Sequence, residues 1–171
     1  MNRPGKGDWL CDVAWPAAAY LPELCARLAG DLHVVHLVRH PLAMVRSRAT
    51  PPWDIRSTAM LDIDTPTKYG RWIMGITPDV ASWPTVVERT AAHWVLWNNL
   101  IAPWASERLR IEDVTPDTVN RLARIVDPDA PGVLSLQPRR NVKPDKMPPL
   151  TWAEVEHIDG LLDLAREYGY L

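Results

Sequence analysis

The sequence contains no phenylalanine and only two cysteines among its 171 residues. Cys11 and Cys25 are too few for a disulfide framework and show no metal-ligand spacing, so we expect two buried thiols and no metal site. No apolar run approaches the roughly 18 residues that a membrane span requires. The polar start, residues 1–8, has no apolar core of the signal-peptide type. Together these absences predict a cytoplasmic protein without a membrane span.

Neither positive nor negative charge is in large excess. The sequence has 19 lysines and arginines and 21 acidic residues, for a net charge of −2. A chain this close to neutral lacks the global field that attracts nucleic acid or an anionic membrane. Nine tryptophans and 15 arginines suggest a single-stranded nucleic-acid binder as one alternative. The small net charge and the missing basic stripe argue against it. Any anion site must therefore be local.

Hydrophobic periodicity and helix-end signals predict a chain in which strands and helices alternate. The predicted elements are a strand over 9–15, a helix over 16–28, a strand over 32–38, and helices over 41–49 and 85–107, followed by a strand over 109–111 and helices over 115–126 and 151–168. Proline opens helices at Pro16 and Pro41. Gly30 is expected to end the first of these, and Gly169 the last helix of the chain. Thr151 and Glu154 have the spacing of a capping box.

The strand predicted over 32–38 decides the fold class. It is a short run rich in β-branched residues between breakers, which is typical of a strand buried on both faces of a parallel sheet, and His36 is expected inside that sheet. The pattern predicts an α/β protein with three α/β/α layers and a short parallel sheet, in a single domain over residues 1–171. Residues 50–84 are irregular and proline-rich, as expected of a loop or lid.

The chemistry is predicted where this strand meets the next helix. Arg39 follows the strand, Pro41 starts the helix, and Ser47 lies eight residues after Arg39. A guanidinium and a hydroxyl there can bind the same phosphate at the helix N-terminus, where free N–H groups and the helix dipole favour an anion. Two structural alternatives remain open. Arg39 can instead pair with Asp12 or Asp113, and Ser47 can be an ordinary helix residue.

The segment with Arg39, Pro41 and Ser47 resembles the 3′-phosphate-binding motif of sulfotransferases that use 3′-phosphoadenosine 5′-phosphosulfate (PAPS). His40 replaces the commoner acidic or polar residue. The resemblance implies PAPS as co-substrate, Arg39 and Ser47 as its binding residues, and transfer of a sulfuryl group to a hydroxyl or amine of a small acceptor molecule. It assigns no catalytic base.

Three further stretches agree with this family in order and spacing. The first resembles a strand and the helix after it, the second resembles the long helix and the Arg-Tyr-Glu-Asp-Leu strand, and the third resembles the closing loop and last helix. These stretches are residues 12–15 with 18–21, 94–101 with 109–114, and 141–152 with 168–170. In this sequence Ala14 stands where serine is common, and Ile111 replaces the aromatic residue. The closing loop of the family often contributes a basic residue, which here is Arg140 or Lys143, although a solvated basic loop explains them equally well.

The chain departs from the family in its phosphate-binding loop. No Gly-x-x-x-x-Gly-Lys, -Ser or -Thr pattern occurs, and residues 5–7 precede the first predicted strand instead of following it. Compared with this family, we therefore expect the first strand, loop and helix to be missing. We expect either an enzyme that is complemented by another chain or by its own oligomer, or a non-catalytic remnant that works as a binding module.

Overall fold

A computed structural model of the protein describes residues 18, 20–49, 80, 82–136 and 148–171. Within these ranges the chain forms α1 (Leu21–Leu28), β1 (Val35–Val38), α2 (Pro41–Arg48), α3 (Val86–Ile101), β2 (Glu107–Arg110), α4 (Pro116–Val126) and α5 (Leu161–Glu167). The strand predicted over 9–15, nearly all of the 50–84 loop and the basic residues Arg139–Lys143 lie outside the described residues.

β1 and β2 pair in parallel, with Val35 opposite Glu107 and Val38 opposite Arg110. Parallel strands need a crossover connection, and α2 and α3 lie between these two strands in the sequence. The predicted α/β class with a short parallel sheet is therefore confirmed at the level of a small mixed fold.

The prediction that the first of these strands is buried on both faces was wrong. His36 and Val38 are buried, whereas Leu37 between them is 48% exposed. Successive side chains of a strand point to opposite faces of the sheet. Among the described residues, the alternation therefore shows cover on only one face of β1 at this point. A continuous apolar run does not distinguish a strand covered on both faces from one covered on a single face.

Two helix predictions were too long. The helix predicted over 85–107 ends at Ile101, and a 3₁₀ turn containing Pro103 follows it, so that Glu107 begins β2 instead. Proline has no N–H to continue the helical hydrogen bonds. Similarly, the helix predicted over 151–168 is a 3₁₀ turn at Trp152–Glu154 and then α5. The predicted capping box is present but caps only this short turn.

Gly160 explains the interruption before α5. Its φ is +74°, in the left-handed region that favours glycine. Gly169 has the same φ and follows α5, as predicted for a helix-ending glycine. The cap at Thr115 is also confirmed, because its hydroxyl accepts a hydrogen bond from the Thr118 N–H.

The hydrophobic core lies between α2, α3, α5 and the covered face of β1. Its buried members are Val38, Val45, Ala49, Ala91, Trp94, Val95, Val155, Ile158, Leu161, Leu164 and Tyr168. Across the described ranges, no helix is both long and apolar enough to cross a lipid bilayer. The core fixes α2 against α3 and thereby positions the link between β1 and α2, where the predicted anion site lies.

Candidate anion-binding site

Arg39 and His40 form the whole link between β1 and α2. Pro41 is the first helical residue and is buried, and His40 is the N-cap residue, whose side chain forms no capping hydrogen bond. The first N–H groups of a helix have no partner within the helix. The start of α2 thus combines a positive helix end with an arginine immediately before it, at the carboxyl edge of a parallel sheet, where open α/β sheets bind ligands.

Side chains from three parts of the chain contact backbone atoms at three consecutive residues around this link. The Trp94 indole Nε1 of α3 donates to the Arg39 carbonyl oxygen at 3.1 Å. The His40 N–H donates to Glu112 Oε1, just after β2, at 3.0 Å. The Tyr170 hydroxyl lies 3.2 Å from the Val38 carbonyl oxygen. The Arg39 carbonyl and the His40 N–H are therefore fixed by side chains of Trp94 and Glu112.

Arg39 itself is half-buried, and within the described part of the chain its guanidinium has no carboxylate partner. The predicted alternative pairing with Asp113 was wrong, because Asp113 lies 2.5 Å from the guanidinium of Arg110. Asp113 is next to β2 and only three residues from Arg110, which makes this local pair easier to form. The other alternative partner, Asp12, lies outside the described residues.

Ser47 lies exposed in the last turn of α2, between Arg46 and Arg48. Partial burial lowers the pKa of Arg48, and the positive charge of Arg39 lowers it further. A shared phosphate contact of Arg39 and Ser47 stays a prediction.

Sequence reasoning missed the cluster around His40. Its ring lies 4.9 Å from the Tyr170 ring and 5.6 Å from the Trp152 ring, measured between centroids. Partial burial lowers the pKa of His40, while the nearby carboxylate of Glu112 opposes that shift. The available signal was the register, because parallel strands place the residues after β1 and after β2 at the same edge.

The Glu112 carboxylate joins this cluster together. It accepts from the His40 N–H through Oε1, and its Oε2 lies 3.1 Å from the Tyr170 hydroxyl. Burial and the charge of Glu112 raise the pKa of Tyr170, so this phenol keeps its proton at neutral pH. The phenol has one hydrogen to share between Glu112 and the Val38 carbonyl. The carboxylate is the stronger acceptor.

His36 lies inside the sheet, as predicted, and is only 3% exposed. The Asn98 amide is oriented by a hydrogen bond from its Nδ2 to the Trp94 carbonyl oxygen. Its Oδ1 therefore faces His36 and accepts a hydrogen bond from Nε2–H at 2.9 Å. The remaining Nδ1 has no hydrogen-bond partner within the described ranges. Burial lowers the pKa of His36 despite the bond to Asn98, and the charge of Arg108 lowers it further.

This buried neutral histidine predicts loss of stability in mild acid. Above pH 6.5 both folded and unfolded chains hold a neutral imidazole, so the full stability is present. As the pH falls below about 6.5, the unfolded chain binds a proton at His36 that the folded chain, with its lowered pKa, does not. We expect the free energy of unfolding, measured with urea, to fall between pH 7.5 and pH 5.5.

His36→Asn provides the control for this pH dependence. The variant will be less stable throughout, but its loss of stability between the two pH values should be smaller than that of the wild type. The carboxylates Glu88, Glu107 and Glu112 have lowered pKa values, so their contribution is lost only in more acidic solution. An equal loss in wild type and variant would exclude His36 as a cause.

Within the described ranges, no group of three or more histidine, cysteine, aspartate or glutamate side chains is arranged to hold a metal ion. Comparisons of the chain with family models, with curated proteins and with solved structures find no match.

Proposed function

We propose that this chain binds the 3′-phosphate of PAPS, or of its product adenosine 3′,5′-bisphosphate, through Arg39 and Ser47. The fold proposed with it is a three-layer P-loop sulfotransferase-like fold that lacks the usual phosphate-binding loop. The observation that carries the proposal is the position of Arg39 between the buried end of β1 and the first turn of α2. A phosphate at this place meets a guanidinium fork and a helix N-terminus together.

Two features of the surroundings support an anion there. The positive charge of Arg39 contributes to the lowered pKa of Arg48. A bound phosphate would relieve the repulsion between the two positive charges. The rigid backbone of the link, held by Trp94 and Glu112, also lowers the entropy that Arg39 loses on binding.

The proposed reaction is in-line transfer of a sulfuryl group from PAPS to a hydroxyl or amine of a small acceptor. The acceptor atom forms a bond to sulfur, the bond from sulfur to the phosphate oxygen breaks, and adenosine 3′,5′-bisphosphate leaves. A base must take the acceptor's proton, and we assign none. Arg39 and Ser47 would hold the adenosine end of the donor while a complementing chain or a second copy contributes to the sulfate end.

A second candidate function is a binding module of the same fold that performs no transfer. It is favoured by the absence of a Gly-x-x-x-x-Gly-Lys, -Ser or -Thr pattern from these 171 residues. Such loops cradle the phosphates next to the reacting group in P-loop proteins. Incubation with PAPS and a panel of phenols, alcohols and amines separates the two functions, because only the enzyme forms a sulfated product.

Calorimetric titration with adenosine 3′,5′-bisphosphate tests the binding that both functions share. Adenosine 5′-monophosphate is the matched control ligand, because it lacks only the 3′-phosphate. We expect the bisphosphate to bind at least about tenfold more tightly, since a charge-assisted phosphate contact is lost in the control. Equal affinity for the two nucleotides, or no binding of either, would contradict the proposal.

A further inference from the structure

We propose that Glu112 and Tyr170 are positioning residues for the anion site, which they serve by fixing the link that carries Arg39. This inference rests on the proposed function, because it concerns how the same site is held ready for an anion. Neither side chain is assigned a contact with the ligand. Glu112 accepts from the His40 N–H next to Arg39, and Tyr170 holds the Glu112 carboxylate in place.

The two side chains come from distant parts of the sequence. Glu112 lies in the 3₁₀ turn Ile111–Asp113 that follows β2, and Tyr170 follows α5 near the end of the chain. The parallel register brings the end of β2 beside the end of β1, with Arg110 opposite Val38. Residues distant in sequence therefore meet at one edge of the sheet.

Tyr170 is itself held in place by Arg110, which lies at the same edge of the sheet. Arg110 donates from its guanidinium to the Gly169 carbonyl oxygen at 2.6 Å and lies 5.7 Å from the centre of the Tyr170 ring. The φ of +74° at Gly169 turns the chain so that the next residue returns to the sheet. The phenol then reaches both the Val38 carbonyl and the Glu112 carboxylate.

The negative charge of Glu112 separates an electrostatic role from a positioning role. A carboxylate beside an anion site repels the anion, so an electrostatic role alone would weaken binding. Its two oxygens are instead occupied by the His40 N–H and the Tyr170 hydroxyl. Burial alone would raise the pKa of Glu112, but these hydrogen bonds lower it overall, so the carboxylate stays charged at neutral pH. A charged acceptor gives a stronger bond to a backbone N–H than a neutral one.

These two roles predict opposite results for Glu112→Ala. If Glu112 acts only through its charge, the variant will bind adenosine 3′,5′-bisphosphate more tightly. If Glu112 positions the link, the variant will bind about fivefold to tenfold more weakly, because the link loses one charge-assisted hydrogen bond and Arg39 becomes less well oriented. Glu112→Gln keeps an acceptor for the His40 N–H and should restore most of the affinity. Tyr170→Phe keeps the ring, loses the hydroxyl, and should weaken binding less than Glu112→Ala.

Calorimetric titration of the full-length variants with adenosine 3′,5′-bisphosphate tests this, alongside the thermal midpoint of each. Asp117→Ala, which removes a negative charge from the exposed first turn of α4, is the control for the change of net charge and should bind about as the wild type does. A merely structural role would lower the thermal midpoint of Glu112→Ala and leave the affinity of the folded protein unchanged. Unchanged or tighter binding by folded Glu112→Ala overturns the positioning role.

The outcome for the proposed function is separate. If the wild type binds the bisphosphate and Glu112→Ala binds it equally well, the anion site stands and only the positioning role fails. If the wild type binds no bisphosphate, the proposed function fails, and the positioning role fails with it. Should Glu112→Ala not fold, the comparison of Tyr170→Phe with the wild type decides, and equal affinity of these two proteins counts against positioning.

Discussion

Replacing Arg39 by alanine is expected to weaken binding of adenosine 3′,5′-bisphosphate by about 10- to 150-fold. A charge-assisted hydrogen bond contributes about 1.5–3 kcal/mol, and each 1.4 kcal/mol corresponds to a tenfold change in affinity. Arg39→Lys keeps the charge but loses the planar fork that binds phosphate through two bonds, so it should bind with intermediate affinity. Calorimetric titration of both variants measures these differences.

Arg124→Ala is the matched control for Arg39→Ala. Arg124 lies exposed in the last turn of α4, away from the link between β1 and α2, so its loss changes the net charge equally. We expect its affinity to stay near that of the wild type. Because the Arg39 guanidinium has no carboxylate partner within the described ranges, Arg39→Ala should also keep the wild-type thermal midpoint. Equal affinity of Arg39→Ala and Arg124→Ala would count against a phosphate contact at Arg39.

Replacing Trp94 by alanine is expected to lower the free energy of unfolding by about 3–5 kcal/mol. The side chain is only 2% exposed and packs in the core, with its ring 6.0 Å from the Tyr168 ring. The variant also leaves the Arg39 carbonyl oxygen without the indole N–H that it now accepts from. Since small domains have about 5–15 kcal/mol of stability in total, this loss brings the protein close to unfolding. Urea denaturation followed by circular dichroism measures it.

Trp104→Ala is the control for the loss of an indole. Trp104 lies in the 3₁₀ turn after α3 and is 36% exposed, so its replacement leaves a smaller cavity and should cost clearly less stability. A third variant, Trp94→Phe, retains most of the packing and removes the N–H, which separates the packing contribution from the hydrogen bond to Arg39. Equal destabilisation by Trp94→Ala and Trp104→Ala would contradict the core described above.

The elements that carry the site were predictable because their signals are local. Pro41 can only begin a helix at its first turn, and the run before Arg39 is too short and too rich in β-branched residues for a helix. Val45 lies in the helix that follows and is fully buried. The coarse α/β class and the position of Arg39 between strand and helix therefore followed from residues within about ten positions of one another.

The rest depended on contacts between distant residues. Glu112 and Tyr170 meet His40 only because β1 and β2 pair in one register and because Gly169 turns the chain back to the sheet. The break before α5 was missed because the pattern of apolar residues continues through Gly160, and its left-handed conformation shows only in the fold. The exposed face at Leu37 was missed because a run of apolar residues looks alike whether one face or both are covered.

The most direct test of the anion site is a two-dimensional ¹⁵N–¹H NMR titration of the protein with adenosine 3′,5′-bisphosphate, because it locates bound phosphate residue by residue. The largest shifts are predicted for the amides from Arg39 through the first turn of α2 and for Ser47. Saturating ligand with its largest shifts elsewhere, for instance along α4, would contradict a phosphate site at the start of α2.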